Sequence, residues 1–201
     1  MNPNTGRLRL IGVSGSLRRE SYNAALLNAA ASMLPADVDM TIGSIRGIPL
    51  YDADVEADPG PPQAVTGLRD AIAGADGLLL VTPEYNNSIP GVFKNAIDWL
   101  SSPAKEGDRA FGGRPVAIIG ASSGGFGTIL AQGAWLPVLR ALGAQHWSGG
   151  RLMVSHAAGK FDASGTLVDP ALADQLRDFL QGFAQFVRCS KAVPGLSLIH
   201  I

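Results

Sequence analysis

Three loops in this chain of 201 residues carry side chains that could bind an anionic ligand. The first, residues 14–23, contains three serines, two arginines and an asparagine just before a helical pattern begins. A helix N-terminus presents free backbone N–H groups and positive potential, and arginine adds charge-assisted hydrogen bonds. This composition favours a phosphate, and an ordinary turn capped by Ser21 or Asn23 is the alternative. The spacing Gly12-x-x-Gly15 fits neither the dinucleotide fingerprint nor a Walker loop, so a monophosphate held by hydroxyl groups is the better fit.

The second and third loops carry an aromatic ring and a cluster of glycines. In residues 82–90, Tyr85 stands among asparagines directly after an apolar strand pattern. Such a ring can lie near a planar ligand whose edge the amides hydrogen-bond, and a helix-entry turn capped by Ser88 is the alternative. Residues 120–128 contain four glycines, which let a backbone approach a ligand closely.

The third loop also matches a hydrolase motif. Residues 120–124 have the G-x-S-x-G spacing of a nucleophile elbow, centred on Ser122 between a strand and a helix. That fold places the acid of its catalytic triad after the serine and the histidine last. His146 and His156 precede the nearest downstream acidic residues, which leaves only His200 near the chain end. A serine hydrolase using Ser122 is therefore a minor alternative.

The elements that must position these loops alternate along the chain. Strands are expected at 8–13, 37–43, 77–81, 115–119 and within 145–154. A helix is expected after the first loop, where Leu26, Leu27, Ala30, Met33 and Leu34 recur at helical spacing. Further helices are expected over 63–73, from Pro90 in a first turn, up to Leu142 with a kink at Pro137, and over 170–187. Residues 52–58, with four acidic side chains, and the proline-rich 59–62 are expected to form a loop.

This alternation predicts one α/β domain. Five strands interleaved with five helices form a parallel sheet covered by helices on both faces. The uninterrupted apolar strand at 77–81 is typical of a sheet buried on both sides. Ligands bind such sheets beyond the carboxyl ends of the strands, so we expect the three loops to meet in space.

Composition excludes several classes of protein. The chain is 46% hydrophobic and 16% charged, which argues against disorder. Its 16 basic and 17 acidic residues give a net charge of −1, which argues against a nucleic-acid partner. A single cysteine indicates a reducing compartment. Neither a signal peptide nor a long apolar span is visible, so we expect a soluble cytoplasmic protein without a membrane partner or a metal site.

The loop motifs resemble those of the NADPH-dependent FMN reductase family, which includes quinone, azo and chromate reductases. The motifs are Gly15-Ser16-Leu17-Arg18 with Ser21 and Asn23, Thr82-Pro83-Glu84-Tyr85-Asn86, and Pro90-Gly91-x-x-Lys94-Asn95-Ala96-Ile97-Asp98-Trp99. The similarity extends over roughly residues 8–187 and includes the glycines of the third loop. It implies a flavodoxin-like, doubly wound fold with strand order 2-1-3-4-5, a single FMN-binding domain over residues 1–190, and a homodimer or homotetramer.

The resemblance also implies which residues bind the cofactor. Ser16, Arg18, Ser21 and Asn23 would hold the FMN phosphate. Pro83, Glu84, Tyr85 and Asn86 would line the isoalloxazine ring, and Ser122, Gly124 and Gly125 would contact the ribityl chain or the ring. No side chain is expected to be catalytic, because the flavin carries the chemistry.

The implied activity is hydride transfer from NADPH or NADH to FMN and on to a small acceptor, with ping-pong kinetics. The acceptor would be a quinone, an azo compound, free flavin or a metal oxyanion. The alternative is a flavodoxin-type electron carrier, although such carriers dock through a strong field of one sign and the net charge here is only −1. Residues 191–201, apolar after Pro194-Gly195, are interpreted as a pairing strand or a remnant of the expression vector.

Overall fold

The computed structural model describes residues 6–192. Its architecture is a parallel β-sheet with helices on both faces. The strands are β1 (Leu8–Ser14), β2 (Val38–Gly43), β3 (Gly77–Val81), β4 (Pro115–Ala121), β5 (Gln145–His146) and β6 (Leu152–Val154). The helices are α1 (Tyr22–Ser32), α2 (Ala53–Ala57), α3 (Gln63–Ala73), α4 (Gly91–Leu100), α5 (Ala104–Phe111), α6 (Ile129–Ala141) and α7 (Pro170–Ala192). A short 3-10 turn, Ala157–Gly159, follows β6.

The strand order is β2-β1-β3-β4-β5, and every pairing within it is parallel, which confirms the predicted flavodoxin-like fold. The predicted fifth strand exists as two short pieces, because β5 pairs with the start of β4 and β6 with its end. Between them, Trp147 packs edge-on against Phe179 of α7, with ring centroids 4.8 Å apart. A Cβ at Gly182 of α7 would approach the Trp147 ring to 2.8 Å, so glycine makes room for this packing.

Two hydrophobic clusters lie on opposite faces of the sheet, and β3 contributes to both. Leu79 and Val81 belong to the cluster under α1 and α7, whereas Leu78 and Leu80 belong to the cluster under α3, α4, α5 and α6. All four side chains are fully buried. The residues at 77–81 are all apolar because successive residues of a strand face opposite sides of the sheet, and both sides are buried here. This confirms the prediction made from the sequence.

Several predicted boundaries were wrong. The acidic run 52–58, expected as a loop, contains the five-residue helix α2, capped by the Asp52 carboxylate, which accepts from Asp54 N at 2.9 Å. Helix α5 was not predicted, because its sequence is polar except for the buried Ala110 and Phe111 at its end. Strand β4 extends to Ala121, and Pro90 is the residue before α4 rather than part of its first turn.

The C-terminal helix α7 is longer than the periodicity indicated, since it continues past Val187 to Ala192, the last described residue. Residues 191–201 were interpreted as a pairing strand or a remnant of the expression vector. The last nine of them lie outside the described residues. Within residues 6–192, no helix combines the length and the apolar character needed to cross a membrane.

Candidate functional site

The three loops leave neighbouring strands at one edge of the sheet. Ser14 at the end of β1 pairs with Val81 at the end of β3, and Gly15 N donates to the Val81 carbonyl at 2.9 Å. Thr82 N in turn donates to the carbonyl of Ile119 in β4 at 2.8 Å. We refer to residues 14–21, 82–90 and 122–128 as loop 1, loop 2 and loop 3.

Loop 1 is a tight turn stabilised by its own serines. Ser16 N donates to the Ser14 hydroxyl at 3.4 Å, and Arg18 N donates to the Ser16 hydroxyl at 3.3 Å. The Arg18 side chain is exposed and lies 3.9 Å from the Glu20 carboxylate, a separation that contributes little in water. The Arg18 guanidinium and the Ser16 O–H are therefore available to a ligand at the surface of the loop.

Ser21 caps helix α1. Its hydroxyl oxygen accepts from Asn23 N at 3.2 Å and from Ala24 N at 3.3 Å, as an N-cap residue does. The residue is buried, and its hydroxyl hydrogen remains able to donate to an anion at the helix N-terminus. Capping and phosphate binding are thus compatible at this position.

Asn23 lies apart from the surface of loop 1. Its side chain is buried, with Nδ2 donating to the Ala121 carbonyl and Oδ1 accepting from Ala121 N, both at 2.9 Å. This pair of hydrogen bonds joins the first turn of α1 to the end of β4. The structure therefore places the Asn23 amide in the scaffold between loop 1 and loop 3, a role that its position in the sequence gave no sign of.

Loop 2 begins with a two-residue hairpin. Tyr85 and Ser88 exchange backbone hydrogen bonds of 3.1 Å, and the intervening Asn86 and Asn87 have φ angles of 49° and 61°. Asparagine tolerates this left-handed region better than most residues. Ser88 is thus part of the hairpin and does not cap α4. The hairpin leaves the Tyr85 ring 48% exposed at the edge of the sheet.

Glu84 connects loop 2 to helix α6. One oxygen, Oε2, accepts from both Leu130 N and Ala131 N, each at 2.9 Å. Thr128, the residue before α6, makes no capping hydrogen bond and has a φ of 68°, so a carboxylate from loop 2 occupies the place of a local cap. A negative charge at a helix N-terminus is favourable. This contact spans 46 residues and was not visible in the sequence.

Loop 3 is held on one side by the segment that follows β6. Ser122 N donates to the Val154 carbonyl, Ala157 N to the Ser122 carbonyl and His156 N to the Gly124 carbonyl, at 2.9 to 3.0 Å. Within residues 6–192, the backbone N–H groups of residues 123–127 have no hydrogen-bond acceptor. A Cβ at Gly124 would meet nothing within 4 Å. Loop 3 therefore presents unpaired backbone donors at its exposed residues 123–126, whereas Gly127 is buried.

Ser122 does not have the surroundings of a nucleophile. Its hydroxyl donates to the Gly124 carbonyl at 3.3 Å, and across the described part of the chain it has no hydrogen bond to a histidine or a carboxylate. A serine nucleophile needs such a base within hydrogen-bond reach. The hydrolase alternative has no support from this geometry.

Other glycines in these loops serve packing. A Cβ at Gly15 would come 2.1 Å from Cδ1 of Phe93, and one at Gly120 would come 2.3 Å from the Thr82 carbonyl oxygen. Gly127, with a φ of 57°, would place a Cβ 2.5 Å from the Met153 carbonyl carbon. Glycine at these three positions allows close packing, whereas a Cβ at Gly124 would meet nothing within 4 Å and one at Gly125 would meet only the His156 ring, at 3.8 Å.

The donor set fits FMN. Loop 1 offers hydroxyl groups, the Arg18 guanidinium and the N-terminus of α1, which suit a phosphate monoester. Loop 2 and loop 3 offer an exposed aromatic ring and backbone N–H donors, which suit a planar ring with polar edges. In residues 6–192, no three His, Cys, Asp or Glu side chains are grouped as metal ligands.

Comparisons with known proteins identify one family of flavin-dependent reductases. Residues 8–159 match the family model described as NADPH-dependent FMN reductase. An NAD(P)H-dependent FMN reductase of Pseudomonas aeruginosa is 42% identical over 181 residues, covering 90% of this chain and 96% of the relative. A 2-hydroxy-1,4-benzoquinone reductase of a Burkholderia species is 40% identical, covering 90% and 97%. The solved structure of FerB, a flavoenzyme NAD(P)H:(acceptor) oxidoreductase from Paracoccus denitrificans, has a TM-score of 0.82 and 31% identity, covering 91% of this chain and 98% of that one.

Proposed function

Because the chain belongs to the NADPH-dependent FMN reductase family, we propose that it is an FMN-dependent NAD(P)H oxidoreductase that reduces a small acceptor such as a quinone. The observation that carries this proposal is the placement of three ligand-binding loops at one edge of the sheet. Loop 1 supplies donors for a phosphate, and loop 2 and loop 3 supply an aromatic face and backbone donors.

The chemistry that FMN would supply when bound is hydride transfer from the nicotinamide and electron transfer to the acceptor. The residues of this chain would bind the cofactor and hold it in position. Arg18 would neutralise part of the phosphate charge, while the Ser16 and Ser21 hydroxyls would donate to its oxygens. The backbone N–H groups of residues 123–126 would donate to polar atoms of the ring, and the exposed Tyr85 would contact it. Pro83, Asn86, Gly124 and Gly125 would complete the surface that binds the ring.

Two further residues from the predicted set act through the loops. Asn23 fixes the end of β4 against the first turn of α1, and Glu84 fixes loop 2 against the first turn of α6. Rigid loops lower the entropic cost of binding, because they lose less conformational freedom when the ligand binds. We therefore assign Asn23 and Glu84 as positioning residues of the cofactor site.

Steady-state kinetics test the proposal. Protein loaded with FMN should oxidise NADPH or NADH in the presence of a quinone, and double-reciprocal plots at several quinone concentrations should be parallel, as ping-pong kinetics require. Intersecting lines would contradict the two separate half-reactions. Flavin binding without nicotinamide oxidation would instead identify an electron carrier. An esterase assay on the same preparation tests the hydrolase alternative.

We further propose that the protein acts in the cytoplasm as a homodimer or homotetramer. Exposed apolar side chains support an assembly, since Leu50 is 83% exposed and Val92 of α4 is also exposed. Segment 49–51, which carries Leu50, is held on α4 by Asn95, whose Nδ2 donates to the Pro49 carbonyl and whose Oδ1 accepts from Tyr51 N. Sedimentation velocity should give a mass of two or four times that of the chain. The substitution L50D should lower the mass of the assembly.

A further inference from the structure

A groove beside loop 1 is separate from the surface of loop 2 and loop 3. It lies between α1 and residues 158–165 and has a volume of about 420 Å³. Loop 1 contributes Arg18, Arg19 and Ser21 to its wall. None of the residues of loop 2 or loop 3 lines it. A groove of this size can hold part of a nucleotide, since ligand pockets begin at about 300 Å³.

Arg19 is the cation in this groove that lacks a partner. The other charged groups of the groove are Arg18, Glu20 and Asp162. Arg18 and Glu20 lie 3.9 Å apart. Arg19 is exposed and, among residues 6–192, its side chain forms no ion pair or hydrogen bond.

Asp162 is committed to its own turn. Its Oδ1 accepts from Ser164 N at 2.8 Å, Ser164 Oγ at 2.6 Å and Thr166 N at 2.9 Å. These hydrogen bonds, led by the one from the Ser164 hydroxyl, hold the pKa of Asp162 below its ordinary value. The carboxylate therefore stays ionised and can accept from an amino or hydroxyl group, while Arg19 remains the group suited to an anion.

Two aromatic side chains, Tyr22 and Phe161, line the groove. Tyr22 at the start of α1 stacks on Phe161, with ring centroids 6.1 Å apart and an interplanar angle of 26°. Phe161 is buried and Tyr22 is half-buried, and both line the groove. Aromatic side chains are common platforms for planar ligands. Aromatic side chains beside a planar guanidinium, in a groove whose lining is mostly polar, suit a purine nucleoside that carries a phosphate monoester.

The groove adjoins residues of the proposed cofactor site on two sides. Arg18 and Ser21 belong both to the groove and to the proposed phosphate site of loop 1. At the other rim, Ala158 lines the groove and directly follows Ala157, whose N–H donates to the Ser122 carbonyl of loop 3 at 3.0 Å. A ligand that reaches loop 3 with one end can therefore enter the groove with the other.

We propose that this groove binds the adenosine half of NADPH and that Arg19 contacts its 2′-phosphate, which makes NADPH the preferred electron donor. The guanidinium fork matches a phosphate in a bidentate manner. NADH lacks the 2′-phosphate and leaves Arg19 without a partner. This inference rests on the proposed function and adds the identity of the electron donor to it.

The substitution R19Q tests the contact with the 2′-phosphate. In FMN-loaded protein it should raise the KM for NADPH about tenfold to hundredfold, the value of one or two charge-assisted hydrogen bonds. The KM for NADH and the Kd for FMN should not change. The matched control is R140Q, which removes the same charge from an exposed position on α6 outside the groove. Equal KM values for NADPH in R19Q and R140Q would overturn the inference.

A second variant and a binding measurement separate this inference from the proposed function. A163W obstructs the groove from an exposed position and should raise the KM for both NADPH and NADH. Calorimetric titration of the FMN-loaded protein should show 2′,5′-ADP binding more tightly than 5′-AMP, with the difference lost in R19Q. Binding of both nucleotides with equal affinity overturns the inference even where NADPH is oxidised. Tighter 2′,5′-ADP binding without oxidation of NADPH supports the groove and contradicts the oxidoreductase.

Discussion

The side-chain amide of Asn23 and the backbone of Ala121, 98 residues apart in the chain, form two hydrogen bonds of 2.9 Å with each other. Asn23 is in the first turn of α1 and Ala121 is the last residue of β4. Both residues are buried, so water cannot replace either bond. The contact holds the helix behind loop 1 and the strand before loop 3 in one arrangement, and it therefore fixes the distance between loop 1 and loop 3.

Replacing Asn23 tests this contact. We expect N23A to lower the free energy of unfolding by about 2–4 kcal/mol, because the buried N–H and C=O of Ala121 lose their partners. Urea denaturation measures the change. N28A is the control, since Asn28 is exposed on the same helix. If Asn23 positions the loops, N23A weakens FMN and riboflavin equally, whereas a selective loss of FMN affinity would make Asn23 a phosphate ligand.

Glu84 should stabilise the junction between loop 2 and α6. We expect E84A to lower the free energy of unfolding by about 0.5–2 kcal/mol, as the loss of a helix cap does, because Leu130 N and Ala131 N lose their acceptor. E84Q keeps an oxygen acceptor and loses the charge, so it should cost less, about 0.3–1 kcal/mol. Thermal unfolding of the two variants shows which of them is destabilised more. A larger loss in E84Q than in E84A would refute the capping role.

Arg18 should distinguish FMN from riboflavin. We expect R18A to weaken FMN binding about tenfold to hundredfold, because it removes a charge-assisted contact to the phosphate. Riboflavin has no phosphate, and its affinity should stay the same. Fluorescence quenching of each flavin measures both constants. Equal losses for the two ligands would show that Arg18 does not contact the phosphate.

Ser122 should be dispensable for catalysis. Its hydroxyl donates only to the Gly124 carbonyl at 3.3 Å within the described part of the chain, so S122A removes a weak local bond. We expect NADPH oxidation by FMN-loaded S122A to stay within about twofold of the parent protein, since that bond is worth little. An esterase activity that disappears in S122A would revive the hydrolase alternative.

Asp76 should make stability depend on pH. Its carboxylate lies between Lys191 Nζ of α7, at 2.7 Å, and Arg9 N of β1, at 2.8 Å. Burial raises the pKa of Asp76, but the Lys191 and Arg9 contacts outweigh burial and hold the pKa below its ordinary value. A lowered pKa in the folded state stabilises the protein fully above about pH 4, and this contribution is lost as the pH falls through the folded value.

The variant D76N should therefore be less stable than the parent at pH 7, by about 1–2 kcal/mol, and the difference should shrink below about pH 4. Urea denaturation at pH 7, 5 and 3 measures it. The control is D39N, because Asp39 pairs with Arg7 in an exposed position and its removal should change little. A difference between D76N and the parent that stays constant down to pH 3 would contradict the assignment.

The sequence by itself determined the layers of the fold and the sheet edge at which the three loops lie. The apolar run at 77–81 predicted a strand buried on both faces, and polar loops after three strands predicted a common edge. The buried strand is predicted from the periodicity of its residues, and the common edge from the order of strands and helices along the chain. Both can be read directly from the sequence. Helix α5 was missed because it is only eight residues long and mostly polar, with Ala110 and Phe111 at its end as its buried apolar side chains.

The tertiary structure alone decided what individual polar residues and glycines do. Asn23, expected at the phosphate, holds Ala121, and Glu84, expected at the ring, caps α6. Gly15 and Gly120 make room for neighbouring atoms, whereas Gly124 borders open space. Hydrogen bonds and close packing join residues that are distant in the chain. Their partners therefore depend on how the strands and helices are arranged, which local spacing does not encode.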